Sequence, residues 1–185
     1  MKGAGKSCMI ESFGIQLLQN DPDLKLAIVC IDPSSTISGG SILGDKTRMR
    51  QLSSFSYSSS SKSSNTNMEG FVDRVFIRPS SNSQSVGGIA TYTDDVVKLL
   101  SCAAAGYNLV FVETVGLGQS EIEIIQSVDV LVLLIPPGGG DELQGVKKGI
   151  VELANIIAIT KTDSELEPIA TRTASDYKVR ICNDV

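Results

Sequence analysis

Four apolar runs rich in β-forming residues set the frame of this chain: Leu26–Ile31, Leu109–Val112, Val128–Ile135 and Ile156–Ile159. They are nearly continuous rather than alternating. That is the pattern of strands whose two faces are both covered by helices. A shorter run, Arg74–Arg78, predicts an edge strand. Stretches with helical spacing fall between the runs, at Lys6–Gln19, Ile89–Ala105, Gln144–Leu153 and Glu165–Lys178. Gly106, after three alanines, supplies a stop for the second of them. Strand–helix alternation of this kind predicts an α/β fold, a doubly wound and mostly parallel sheet with helices on both faces.

The 185 residues suit one domain, 1–185, and a hydrophobic share of 42% is enough for a core. One stretch breaks the pattern. From Ser53 to Ser64, nine of twelve residues are serine. Such a segment cannot bury enough apolar surface to order itself, so 53–67 is expected to be a disordered surface insertion. The net charge of -5 excludes binding to nucleic acid through a basic surface. The absence of histidine excludes His-based metal sites, Ser-His-Asp triads and Cys-His dyads. Cys8, Cys30, Cys102 and Cys182 form no C-x-x-C pair, and three lie in apolar runs, so they are expected to be reduced core residues. No apolar run approaches the roughly 20 residues a membrane helix needs, and the chain opens on a glycine-rich turn rather than a signal peptide. A soluble intracellular protein with no membrane partner is expected.

Gly3-Ala4-Gly5-Lys6-Ser7 has the form of the end of a Walker A loop, G-x-x-x-x-G-K-[ST]. Glycines let backbone N–H groups turn inward around phosphates, and the following helix points its positive end at the same anion. Lys6 would reach the β- and γ-phosphates, and the Ser7 hydroxyl would bind Mg²⁺. The bland alternative is a chance G-x-G-K-S at a helix start. The first glycine of the motif falls one place before Met1, and the central strand that feeds such a loop is missing from the sequence. The expectation is therefore a fragment, or a gene model started too late.

Thr160-Lys161-Thr162-Asp163, directly after the run Ile156–Ile159, fits the guanine motif N/T-K-x-D. A carboxylate accepts from both guanine N1–H and the 2-amino group; adenine offers neither. The lysine stem can cover the base face. A helix-start cap would explain Asp163 equally well. Val110–Glu113 is a strand ending in an acid, followed by Thr114-Val115-Gly116, which occupies the place of D-x-x-G. Glu113 could hold Mg²⁺, and Gly116 could give its N–H to the γ-phosphate. Leu117 stands where many GTPases carry a water-orienting glutamine, so unaided hydrolysis is expected to be slow. Asp32 ends another strand, on the side where open α/β sheets take their ligands. It serves equally as a turn starter ahead of Pro33.

Further blocks carry a resemblance. Asp32-Pro-Ser-Ser-Thr, Gly39-Gly-Ser-Ile-Leu-Gly-Asp-Lys-Thr-Arg-Met49, Phe76-Ile-Arg-Pro-Ser80, Val112-Glu-Thr-Val-Gly116, Gly118-Gln-Ser-Glu121 and Gly140-Asp-Glu-Leu-Gln-Gly-Val-Lys-Lys-Gly149 resemble the MeaB/ArgK family of P-loop GTPases, which includes the methylmalonic aciduria type A proteins. The likeness covers nearly the whole chain outside the serine-rich segment. It implies GTP and GDP as ligands, with Gly3, Ala4, Gly5, Lys6 and Ser7 on the phosphates, Cys8 beside them, and Asp163, Lys161 and Thr160 at the base. It implies Mg²⁺ near Ser7, Asp32, Asp45 and Glu113, with the Asp45 block acting as a switch.

Gly138–Lys148 would be a further switch that touches a methylmalonyl-CoA mutase partner. Lys147 in it would assist hydrolysis once that partner is bound, although on residues alone Lys147-Lys148 reads as a solvated helix face. The implied role is a GTP-hydrolysing chaperone that gates adenosylcobalamin loading and protection of the mutase. Such a protein sits in the mitochondrial matrix of a eukaryote or the cytoplasm of a bacterium. The family is homodimeric, through a C-terminal region beyond the residues present here. Two alternatives stand beside this reading. One is a GTPase metallochaperone for nickel or cobalt enzymes, against which the lack of histidine counts. The other is a non-catalytic fragment that keeps only a partner-binding surface.

Overall fold

The structure is a computed structural model, and it describes residues 4–32, 49–57, 73–81, 88–114, 125, 127–138 and 148–183. In chain order the elements are α1 (Lys6–Asn20), β1 (Leu26–Asp32), α2 (Arg50–Tyr57), β2 (Val75–Ser81), α3 (Gly88–Ser101), β3 (Leu109–Thr114), β4 (Val132–Ile135), α4 (Lys148–Leu153), β5 (Ile156–Ile159), a short 3-10 turn (Ser164–Leu166) and α5 (Glu167–Asn183). All the strand pairing is parallel. The predicted α/β class with parallel strands and intervening helices is what is observed.

The chain divides into two compact units, one comprising 7–115 and the other 1–6 with 116–185. In the 7–115 unit, β1 is the middle strand of the order β2-β1-β3. Its residues Leu26 to Ile31 are all buried, as a strand paired on both sides and covered above and below must be. The expected edge strand at 74–78 is β2, which begins at Val75 and pairs along the full length of β1. A core of Leu18, Leu26, Ile28, Cys30, Met49, Leu52, Val75 and Ile77 joins α1, β1, α2 and β2.

Helix α1 lies close upon the sheet at Gly14. A Cβ there would fall 2.9 Å from Leu26 Cδ2 and 3.4 Å from Leu52 Cδ1, both on buried side chains. Helix α2 contradicts part of the expected insertion: residues 53–57 are helical. Serine is an indifferent helix former, but burial of Met49 and Leu52 and a cap from outside the helix hold this one. The Gln51 N–H donates to Glu11 Oε1 at 2.7 Å, which satisfies one of the orphan donors at the start of α2. The remainder of the serine-rich segment, 58–67, lies outside the described residues.

The turn from α1 into β1 is fastened by Arg74, which enters β2. Its guanidinium donates to the carbonyls of Leu24 (Nε, 2.9 Å) and Leu18 (Nη2, 3.1 Å) and to that of Asp21. A fixed cationic fork thus satisfies carbonyls at the negative end of α1. Arg74→Ala is expected to cost about 2–3 kcal/mol, since it strands part-buried acceptors. For a chain of this size that lowers Tm by about 5–10 °C. Arg74→Lys, with one ammonium for three carbonyls, should recover less than half. Thermal melts of the three proteins check this; an unchanged Tm for the alanine variant would remove the clamp.

In the second unit β4 pairs with β5, Val132↔Ile156 through Ile135↔Ile159. Leu133, Ile135, Ile150 and Tyr177 form its core, drawn from β4, α4 and α5. The expected strand 128–135 starts later than its apolar run, at Val132. The chain bends at Asp129, Val130 is exposed, and pairing begins only beyond Leu131.

Both units use one device at the start of their strands. Asn108 precedes β3; its Oδ1 accepts the Lys25 N–H at 2.8 Å, while its own N–H donates to Lys25 O at 3.2 Å. Asn155 precedes β5; its Oδ1 accepts the Leu131 N–H at 2.7 Å, while its N–H donates to Leu131 O at 3.0 Å. Each asparagine extends its parallel ladder by a reciprocal pair of bonds at the amino end.

The cysteine expectation needs correction. Cys30 is buried, but Cys8 is exposed and Cys102 is partly so; the Cys182 side chain lies outside the described set. Cys8 belongs to an apolar stretch in sequence, yet on α1 the helical period turns it outward.

Candidate functional site

The glycine-rich turn expected to bind phosphate is described from Ala4 onward. Ala4 is buried, and Gly5 has φ +80, in the left-handed region that favours glycine. A Cβ on Gly5 would meet nothing within 4 Å, so backbone conformation rather than space calls for glycine here. Lys6 opens α1, whose first-turn N–H groups have no acceptor within the helix itself and face the loop side. Gly3 lies outside the described residues.

Ser7, in the first turn of α1, donates its hydroxyl proton to Glu113 Oε1 at 2.7 Å across 106 residues of sequence. Glu113 is 7% exposed, and it lies one residue from the end of β3. Burying a carboxylate this deeply is unfavourable unless it is bonded or neutralised by a cation. The Cys30 Sγ stands 3.9 Å from the other oxygen, Oε2. In the β1–β3 register Cys30 pairs with Glu113, and Asp32 closes β1 two residues further on. Two of the three predicted carboxylate positions are therefore placed at the carboxyl ends of neighbouring parallel strands, where ligands bind in open α/β sheets. The Asp32 side chain lies outside the described set, as do Asp45, Gly116 and Lys147 altogether. A serine hydroxyl and a buried carboxylate oxygen are hard donors that suit Mg²⁺. Among the described residues no group of three or more His, Cys, Asp or Glu could hold a metal ion. That is compatible with a cation which takes only one or two protein oxygens and fills the rest of its sphere with phosphate and water.

The guanine motif follows β5 in the other unit. Thr160 gives its N–H to Ile135 O at 2.9 Å and turns its hydroxyl to the same carbonyl at 3.4 Å. Lys161 has φ 55, a left-handed conformation unusual for a residue with a side chain and found preferentially where a loop is built for a purpose. Lys161, Thr162 and Asp163 are exposed. The 3-10 turn Ser164–Leu166 and α5 follow immediately.

The family model described as "Methylmalonyl Co-A mutase-associated GTPase MeaB" matches residues 1–184 of the chain. The chain belongs to the MeaB family. Among curated MeaB-like relatives, it is 43% identical over 175 residues to the methylmalonic aciduria type A homolog, mitochondrial, of Mus musculus, covering 95% of this chain and 37% of that protein. It is 44% identical to a putative GTPase of Caulobacter vibrioides, covering 95% and 47%, and 44% identical to GTPase ArgK of Escherichia coli, covering 88% and 43%. The chain thus spans less than half the length of these MeaB-family relatives.

Two features of the site were not visible in the motifs. Cys30 touches the Glu113 carboxylate, which only the strand register brings about. Thr173 of α5 accepts the N–H of Gly138 in the turn after β4, at 3.2 Å. Its one sequence signal is a hydroxyl inside the buried helical stripe Ala170, Thr173, Tyr177.

Proposed function

We propose that this chain binds GTP with Mg²⁺ and hydrolyses it, and that the nucleotide state gates its action as a chaperone of methylmalonyl-CoA mutase, controlling adenosylcobalamin loading and protection. The observation that carries the nucleotide part is the 2.7 Å bond from Ser7 to the buried Glu113. It joins the helix that follows the phosphate loop to the carboxylate near the end of a parallel strand.

In this reading the N–H groups of Ala4, Gly5 and Lys6 cradle the phosphates, and the Lys6 ammonium balances charge on the β- and γ-groups. Ser7 and Glu113, with Asp32 and Asp45, hold the cation. When bound, Mg²⁺ offsets the negative charge that develops on the phosphate oxygens. Asp163 reads guanine and Lys161 covers its face. Gly116 fixes the γ-phosphate. With Leu117 in the glutamine position, turnover is slow until the partner acts, and Lys147 then stabilises the charge of phosphoryl transfer. Family membership supports the mutase as partner, and the mouse relative is by its name a mitochondrial protein. This chain would share that compartment in a eukaryote and be cytoplasmic in a bacterium. No described helix is long and apolar enough to cross a membrane.

GDP with Mg²⁺ at about a hundred times its Kd is expected to add about 2.7 kcal/mol of stability and raise Tm by about 5–10 °C. ADP at the same concentration should leave Tm in place. Addition of a methylmalonyl-CoA mutase should then accelerate GTP turnover. Equal shifts with both nucleotides, or none with either, would overturn the guanine reading. Turnover indifferent to the mutase would remove the partner.

A further inference from the structure

We infer that Thr173 is a positioning residue for guanine recognition, acting through the turn after β4; this rests on Asp163 being the base-reading carboxylate. Helix α5 buries Ala170, Thr173 and Tyr177, one face at helical spacing, and Tyr177 packs into the core of β4 and α4. An apolar residue would fill the middle of that stripe as well as threonine does, so the hydroxyl calls for a use. It has two. It donates to Ile169 O at 2.9 Å within the helix, as threonines in helices commonly do, and it accepts the N–H of Gly138 at 3.2 Å.

Gly138 is in the left-handed region, φ +74, which turns its N–H out of the path of β4. A Cβ there would lie 4.0 Å from Ile169 Cγ2, so helix and turn are in close approach. Three residues upstream, Ile135 O accepts from Thr160. The exit from β4 is thus pinned at two points, by the first residue of the guanine motif and by a helix residue ten positions after Asp163. Asp163 lies on the chain between these two fastenings. The bond at Thr173 fixes the height of α5 along β4, and with it the place from which the carboxylate must reach two donors on one base edge. A bidentate contact tolerates little displacement, and its loss falls on the outer donor first.

Inosine nucleotides keep N1–H and lack the 2-amino group, so the ratio of GDP to IDP affinity reports that outer hydrogen bond alone. The wild-type protein should favour GDP over IDP by about tenfold or more, as expected for a hydrogen bond to a charged acceptor. Thr173→Val, nearly isosteric, should narrow the ratio to about threefold or less, while Thr173→Ser, which keeps the hydroxyl, should restore it. Thr173→Ala takes the place of the valine variant if that one does not fold. A general loosening of the fold would weaken both nucleotides alike and leave the ratio unchanged; that outcome, or a serine variant as poor as the valine one, would overturn the inference. A wild-type protein with no preference between GDP and IDP would overturn the Asp163 reading itself, and the inference with it.

Discussion

In Asp163→Asn, GDP affinity is expected to fall by about 100-fold while XDP affinity rises above that for GDP. Guanine offers two donors on one edge, N1–H and the 2-amino group, and the exposed carboxylate has acceptors for both. An asparagine amide has one acceptor and one donor. It still takes N1–H but faces the 2-amino group with its own N–H, so two donors oppose each other. Xanthine carries a 2-oxo group at that position, which accepts from the asparagine amide. The reversal is specific because it depends on the pattern of donors rather than on pocket size. Competitive titrations with a fluorescent nucleotide analogue measure it. Loss of GDP without gain of XDP would mean that the residue serves the loop rather than the base.

The second large effect lies at Glu113. Glu113→Gln keeps the shape and the acceptor for Ser7 but removes the negative charge, so the fold should survive with little change in Tm. GDP affinity, carried mainly by backbone N–H groups and Lys6, should change only a few-fold. GTP turnover under single-turnover conditions should drop by about 10²–10³-fold, the scale for losing one electrostatic element of a phosphoryl-transfer site, and the Mg²⁺ needed for half-maximal rate should rise. A rate within threefold of wild type at low Mg²⁺ would take Glu113 out of the cation's sphere. The buried position makes Glu113→Ala a poorer test, since it would also leave a cavity and an unsatisfied serine hydroxyl.

Much of this architecture could be read from residues alone, and the exceptions have physical causes. Leu26–Ile31 and Ile156–Ile159 stood out because a strand inside a covered parallel sheet has no polar face to disguise it. The start of β4 did not, because Val128 and Val130 look like strand residues while the bend at Asp129 and the Asn155 bonds at Leu131 decide where pairing begins. Helix α2 was hidden for a similar reason. Its serines carry no helical signal, and the helix is held by Leu52 beneath it and by Glu11 from another helix. At the site, Ser7 and Glu113 were each legible from a motif. That they touch was not, since no local pattern spans 106 positions. The outward turn of Cys8 was a matter of helical phase, which an apolar run in sequence does not reveal.

The paired asparagines have a dynamic consequence. Asn108 stitches β3 to β1, and Asn155 stitches β5 to β4, in each case at the rim remote from the ligand side. A ladder sewn along one hem opens from the other. In the β1–β3 ladder thermal fraying is thereby directed toward the rim that carries Glu113, whereas in the β4–β5 ladder the Thr160 bonds to Ile135 fasten the far rim as well. A ligand seated at the Glu113 rim would quieten the least restrained part of that ladder. Occupancy would then register as a change in stiffness, a signal a partner can sense without any strand changing place.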